Sequence, residues 1–117
     1  NEKSGVIAGG NYGKTDSSIT IAMTDDGGKN WKEIKTEIPF FGSCVQMSNI
    51  KNKKQKFIVT GHDGTFEMSS DGKQLKEITN DKVEKLKFNT FRFSKQNNNV
   101  FLFAGTNGRI ARIVIVE

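Results

Sequence analysis

The sequence predicts an all-β chain built from a repeated unit of four short antiparallel strands. Three observations support this prediction. Apolar and polar residues alternate with a period of two in several short segments, as in strands that bury one face. Turn signals rich in glycine, aspartate and asparagine separate these segments. Finally, two different sequence landmarks recur at one common spacing, which is the mark of a repeat architecture.

The repeat is defined by these two landmarks. Residues 28–34 match residues 72–78, and the second copy begins 44 positions after the first. Residues 57–61 match residues 101–105 at the same offset of 44. A third copy of the second landmark lies at 5–10 and precedes a longer polar loop. Two independent landmarks with one offset are difficult to explain by chance, so the chain is interpreted as a tandem repeat.

A period of about 40–45 residues with four short strands is typical of the blades of a β-propeller. Counting strands A to D outward from the central channel, the chain divides into BCD at 5–35, ABCD at 43–79 and ABC at 90–116. The predicted strands are 5–10, 18–24 and 30–35, then 43–49, 56–61, 65–69 and 75–79, then 90–94, 100–105 and 109–116. Residues 81–88 are expected to form a loop with at most one helical turn.

The single predicted domain, 1–117, therefore contains about two and a half to three blades. Propellers typically have at least four blades. Further blades of the same protein, or other copies of the chain, are expected to complete the ring. The missing final D strand favours the C-terminal part of a larger propeller. We expect the isolated chain not to be a stable monomer, because open sheet faces favour aggregation.

The turn at residues 24–31 contains a recognisable motif. It resembles the Asp-box, or BNR repeat, whose pattern is Ser/Thr-x-Asp-x-Gly-x-Thr/Ser-Trp; Asn30 replaces the usual hydroxyl residue. A second, degenerate copy is one residue shorter and has Leu75 in place of tryptophan. Glycine permits the positive φ of a tight turn, and the hydroxyl and carboxylate bond its backbone. The tryptophan is expected to cover the core between blades. The assigned structural residues are Thr24, Asp26, Gly28, Trp31, Ser70, Asp71 and Gly72.

Proteins with this repeat include sialidases, some glucan hydrolases, sortilin-type receptors and photosystem II assembly-factor propellers, so the resemblance implies a fold and no single function. A sialidase-like site would need three arginines around a carboxylate, a tyrosine paired with glutamate, and an acid/base aspartate. Here Arg92 is expected on a different blade from Arg109 and Arg112, and the only tyrosine lies in a glycine-rich loop. No catalytic residue, metal ligand or cofactor is therefore assigned.

Three functions stay open. The first is a non-catalytic binding or assembly propeller. The second is a glycoside hydrolase whose catalytic residues lie on other blades, and the third is a lectin-like module that closes a ring by self-association. A protein or carbohydrate ligand is expected at the B–C and D–A loops, on the face opposite the Asp-box turns. The candidate ligand-binding residues are Tyr12, Lys14, His62, Asp63, Asn107 and Arg109.

Charge and cysteine content limit the other classes of partner. The net charge is +5, but it comes mostly from scattered lysines and a lysine-rich turn at 51–56, with only three arginines. Specific nucleic-acid sites usually combine clustered arginine with stacking aromatics, so none is expected. Cys44 is the only cysteine and is expected to be a buried thiol. No apolar run approaches the ~20 residues of a membrane span. The resemblance favours a secreted or periplasmic protein, although no signal peptide is recognised.

Overall fold

The computed structural model describes residues 3–10, 21–36, 41–48, 56–80, 82, 85–94 and 99–114. Across these residues the chain forms ten β-strands in three antiparallel sheets, together with one 3-10 turn at Thr106–Gly108. The prediction of an all-β chain is therefore confirmed. None of the described residues belongs to a helix that is long and apolar enough to cross a membrane.

The strands follow one another in each sheet in chain order. The first sheet contains β1 (Gly5–Ala8), β2 (Ile21–Thr24) and β3 (Lys32–Ile34). The second sheet contains β4 (Cys44–Ser48), β5 (Lys56–Gly61), β6 (Gly64–Ser69) and β7 (Leu75–Ile78). The third sheet contains β8 (Thr90–Phe93), β9 (Val100–Ala104) and β10 (Ile110–Val114). In the expected loop at 81–88, Lys85 forms an isolated bridge with Thr79.

The 44-residue repeat of the sequence is also a repeat of strand pairing. In the β2–β3 hairpin, Ala22 pairs with Glu33. In the β6–β7 hairpin, Phe66 pairs with Glu77, and both residues lie 44 positions further along the chain. The neighbouring pairs of these hairpins obey the same offset. A one-residue slip would move every side chain to the other face, so this shared register places equivalent positions on equivalent faces.

Two apolar clusters hold the three sheets together. The first lies between the first and second sheets, and its buried members are Ile21, Phe57, Val59, Phe66 and Met68. The second lies between the second and third sheets, and its buried members are Ile58, Phe88, Phe91, Phe101 and Phe103. Burying one such side chain fully contributes roughly 1.5–3 kcal/mol. The sheets therefore stack face to face in chain order, with the second sheet covered on both sides.

This order gives every sheet two distinct faces. We call the face that is turned toward the earlier sheet in the chain the rear face, and the opposite face the forward face. On β5, Val59 contributes to the cluster on the rear face and Ile58 to the cluster on the forward face. In the first sheet, Val6 and Ala8 pack forward onto the second sheet. Ile7 lies between them and so points to the rear, where it is 53% exposed.

Hydrogen bonds also join the first strands of the second and third sheets. Gln46 Nε2 donates to the carbonyl oxygen of Phe91 at 2.7 Å, and Ser43 Oγ donates to that of Asn89 at 2.6 Å. Cys44 Sγ lies 3.6 Å from the same Phe91 oxygen. The only cysteine is thus partly buried beside the second cluster, where it acts as a weak donor between sheets.

The glycine that ends each copy of the second landmark has a packing role. A Cβ built on Gly61 would lie 1.9 Å from the carbonyl oxygen of Phe41, in the segment that leads into β4. A Cβ on Gly105 would also face the segment that enters its sheet, but at 3.4 Å from the carbonyl oxygen of Lys87 it would make only a close contact. At Gly9, a Cβ would meet nothing within 4 Å. A glycine is therefore required at Gly61, where the chain that enters the second sheet crosses the end of β5.

We predict that Gly61→Ala lowers the free energy of unfolding by about 2 kcal/mol, because backbone atoms must move to relieve the contact with Phe41. Gly9→Ala is the matched control and should stay within about 0.5 kcal/mol of the wild-type value. Urea unfolding followed by circular dichroism measures both. Equal effects of the two substitutions would contradict the crossing role of Gly61.

Candidate functional site

The β2–β3 turn is closed by its own side chains. Thr24 Oγ1 donates to Asp26 Oδ1 at 2.8 Å and accepts a bond from the Gly28 amide at 3.0 Å. Asp26 Oδ1 also accepts the Asn30 amide at 2.9 Å, and Oδ2 accepts Asn30 Nδ2 at 2.8 Å. Gly28 has a φ of +89°. Asn30, which replaces the hydroxyl residue of the Asp-box pattern, therefore adds a bond to the carboxylate.

These bonds determine the charge of Asp26. The Asn30 backbone amide, then the Asn30 side chain and the Thr24 hydroxyl, lower the pKa of Asp26 from 3.8 to about 2. Each donor stabilises the charged form of the carboxylate. Asp26 therefore stays ionised to a lower pH than an ordinary aspartate, and both of its oxygens are engaged within the turn. This environment suits a structural carboxylate and does not suit a general acid, which needs a pKa near the working pH.

The β6–β7 turn uses the same chemistry, with one residue fewer between the aspartate and the glycine. Ser69 Oγ donates to Asp71 Oδ1 at 2.6 Å and accepts the Gln74 amide at 2.9 Å. Asp71 Oδ1 also accepts the Lys73 amide at 3.0 Å. The hydroxyl that bonds the aspartate thus belongs to Ser69, whereas the sequence comparison selected Ser70. The deletion lies between the aspartate and the glycine, so the hydroxyl keeps its position two residues before the aspartate.

Trp31 lies on the rear face of the first sheet. Its Nε1 donates to the Gly28 carbonyl oxygen at 3.1 Å, and its ring passes 3.8 Å from the position of a Cβ on Gly5. The residue is 44% exposed. Leu75, the residue 44 positions later, packs against the first cluster between the first and second sheets. Trp31 therefore stands at a position that a preceding sheet would cover, and no described residue supplies that cover.

A second group of side chains lies at the opposite edge of the sheets, in the β5–β6 turn. The Phe41 amide donates to Asp63 Oδ2 at 3.1 Å. The rings of Phe41 and His62 stack with centroids 5.2 Å apart, and His62 Nε2 lies 3.6 Å from Asp63 Oδ2. The side chains of His62 and Asp63 are 40% and 30% exposed. Sequence reasoning missed Phe41, although its place just before Gly42 and β4 could have suggested it.

The β9–β10 loop holds the other described candidates. Asn107 has a φ of +60° within the 3-10 turn, and Gly108 follows with a φ of +68°. The Arg109 amide donates to Thr106 O at 3.2 Å, and Arg109 O accepts the Gly105 amide at 2.9 Å. Both candidate side chains, of Asn107 and Arg109, are exposed. This loop joins the second and third strands of its sheet, as the turn with His62 does in the second sheet. Tyr12 and Lys14 lie outside the described residues.

The arginines are arranged differently from the expectation. Arg92 and Arg112 lie in the same sheet, because both pair with Leu102 of the strand between them. All three arginines are exposed. Arg92 and Arg112 lie on the forward face of the third sheet beside Leu102, whereas Arg109 lies in the β9–β10 loop. The placement of Arg92 on a different blade from Arg112 was therefore wrong. The expectation failed because it departed from the predicted strand order, in which 90–94 and 109–116 flank 100–105 in one ABC unit.

We call the edge of the sheets that carries the β5–β6 turn and the β9–β10 loop the loop edge. It presents an imidazole, a carboxylate, an amide and a guanidinium on turns that are held by backbone bonds. Among the described residues, no group of three or more histidine, cysteine, aspartate or glutamate side chains could hold a metal ion.

Comparisons with protein-family models, curated proteins and solved structures found no match for this chain. The assignment of its function therefore depends on the strand repeat, the two turns and the loop edge.

We predict that Thr24→Val raises the pKa of Asp26 from about 2 toward 3.8, because one donor to the carboxylate is lost. The folded pKa is depressed, so the charged carboxylate stabilises the fold fully above pH 3.8, and this contribution disappears as pH falls through about 2. Carboxyl-carbon chemical shifts measured against pH give the midpoint. Thr24→Ser keeps the hydroxyl and should leave the midpoint low; equal midpoints in both variants would refute the assigned bond.

A similar comparison separates Ser69 from Ser70. The Ser69 hydroxyl is the main cause that lowers the pKa of Asp71 below 3.8. Ser69→Ala should therefore raise the Asp71 titration midpoint, measured by the same nuclear magnetic resonance method. Ser70→Ala is the control and should not move it. A shift in the Ser70 variant alone would restore the sequence-based assignment.

Proposed function

We propose that this chain forms blades of a non-catalytic β-propeller of the Asp-box type, and that the propeller serves as a binding or assembly scaffold. The observation that carries the proposal is the pair of hairpins with one register, repeated at 44 residues, each closed by a hydroxyl–carboxylate turn. The stacking of three sheets in chain order agrees with successive blades.

A binding role is favoured over catalysis by the state of the carboxylates in the turns. Asp26 and Asp71 each accept bonds from their own turn, and these bonds lower both pKa values. These two carboxylates therefore have a structural role in closing their turns. At the opposite edge, the exposed polar groups are distributed over the loops of successive sheets, which suits contact with an extended ligand surface.

The chemistry of the loop edge fits a carbohydrate or a polar protein segment. The stacked rings of Phe41 and His62 form a small flat surface beside the Asp63 carboxylate. Arg109 offers a planar group with five donors, and Asn107 offers both donors and an acceptor. Such a combination of flat rings and directional polar groups can bind hydroxyl-rich or peptide ligands without covalent chemistry.

The proposal is tested with a panel of sialylated and glucan oligosaccharides, assayed for binding by calorimetry and for turnover with fluorogenic glycosides. We expect binding without turnover. Arg109→Ala and His62→Ala should each weaken binding by roughly tenfold, the effect of losing about 1.4 kcal/mol. Lys29→Ala, in the β2–β3 turn at the opposite edge, is the control and should bind like the wild type.

Robust glycoside hydrolysis would reject the non-catalytic function. Binding that responds to Lys29→Ala and not to the loop variants would reject the proposed face. If no oligosaccharide binds, a carbohydrate ligand is rejected and the scaffold function is restricted to protein partners.

A further inference from the structure

The two outermost sheet faces correspond in position to the two kinds of face that pack together between successive sheets. Between successive sheets, the forward face of one sheet packs against the rear face of the next. The rear face of the first sheet and the forward face of the third sheet have no such neighbour among the described residues. Both carry large exposed apolar side chains, namely Ile7, Trp31, Leu102, Ile110 and Val114.

Equivalent positions show how unusual this exposure is for the rear face. Ile7 pairs with Ala22, and Val59 pairs with Phe66, which lies 44 residues after Ala22. Ile7 is thus the counterpart of Val59. Val59 is fully buried and Ile7 is 53% exposed. In the third sheet, the corresponding Phe103 is only 3% exposed. The same position is therefore buried wherever a preceding sheet is present.

On the forward face, the exposed equivalent residue lies in the third sheet, and the buried one lies in the second sheet. Leu102 lies 44 residues after Ile58, and each residue lies near the centre of the second strand of its sheet. Ile58 is 1% exposed and Leu102 is 53% exposed. Ile110 and Val114, on the adjacent strand, are 81% and 45% exposed. This face therefore offers an apolar strip in place of the contact that Ile58 makes with the third sheet.

The central cross-strand rows of the two faces carry opposite charges. On the forward face of the third sheet, Arg92 and Arg112 flank Leu102. On the rear face of the first sheet, Glu33 lies in the same cross-strand row as Ile7 and Ala22. Two exposed cations on one face and an exposed carboxylate on the other favour attraction between the faces and disfavour pairing of the forward face with itself.

The first strand of the third sheet also carries a donor where the second sheet uses one. Gln46 of β4 donates to the backbone oxygen of Phe91 in the next sheet. Arg92 occupies the corresponding place on β8, since Thr90 begins β8 as Cys44 begins β4. The Arg92 guanidinium is exposed and can donate to a backbone oxygen of a following sheet.

We propose that the forward face of the third sheet binds the rear face of the first sheet in a second copy of this chain. The contact is head-to-tail, so each copy uses two different surfaces, and repeated contacts give a ring or an open array. In this contact, Leu102 and Ile110 correspond to the forward apolar surface of the second sheet, and Ile7 and Trp31 correspond to its rear apolar surface. The proposal rests on the stacking of the sheets and is independent of the ligand at the loop edge.

The test uses two variants of the full chain, each blocked on one face. Ile7→Lys with Glu33→Arg blocks the rear face, and Leu102→Glu with Arg112→Glu blocks the forward face. All four side chains are exposed, so circular dichroism should show an intact fold. Sedimentation velocity over a wide concentration range should show oligomers for the wild type and monomers for each blocked variant, with the dissociation constant raised more than about tenfold.

A mixture of the two blocked variants distinguishes head-to-tail contact from other association. Each variant keeps the face that the other lacks, so the equimolar mixture should form a dimer and nothing larger. Lys87→Glu changes the charge by the same amount as Arg112→Glu at an exposed site between the sheets, and should assemble like the wild type. A folded monomeric wild type, or a mixture that stays monomeric, would overturn the proposal and leave these faces to other segments or partners.

Discussion

The burial of strand β5 on both faces is the constraint on which the rest of the structure depends. Phe57 and Val59 join the cluster with the first sheet, while Ile58 joins the cluster with the third. A strand that must be apolar on both sides can be satisfied only between two other sheets. The first and third sheets have three strands each in the described chain, and each buries one face by packing on this central sheet.

The hairpin turns and the landmark glycines convert this stacking into an ordered array. The bonds among Thr24, Asp26 and Asn30 close one turn, and those of Ser69 and Asp71 close its equivalent. At the other edge, Gly61 lets the chain that enters the second sheet cross close to β5. The carboxylates Asp26 and Asp71 at one edge of the array are thus engaged in holding their own turns. This is why we propose recognition at the loop edge.

Local chemistry explains which features could be predicted. Alternation and turn residues predicted the strands, since a period of two and a glycine with positive φ are local properties. The repeat predicted that residues 44 apart are equivalent, and strand pairing confirms this for Ala22 and Phe66. The choice of Ser70 over Ser69 failed because the second turn has one residue fewer between its aspartate and its glycine, and only the hydrogen bonds show which hydroxyl contacts the aspartate.

Less of the candidate site could be predicted from the sequence, because its residues come from segments that are distant in the chain. His62 and Asp63 adjoin in the chain, but their contact with Phe41 depends on how the segment before β4 crosses the β5–β6 turn. This is a non-local contact, and nothing in the spacing of the residues encodes it.

The sequence by itself determined the all-β class, the 44-residue period and the chemistry of the β2–β3 turn, because each depends on residues that are close in the chain. Only the tertiary structure decided which faces are covered. Val59 and Ile7 occupy equivalent positions and have similar side chains, yet one is fully buried and the other is half exposed. The physical reason is that the burial of a side chain depends on whether a neighbouring sheet covers it as much as on the type of residue.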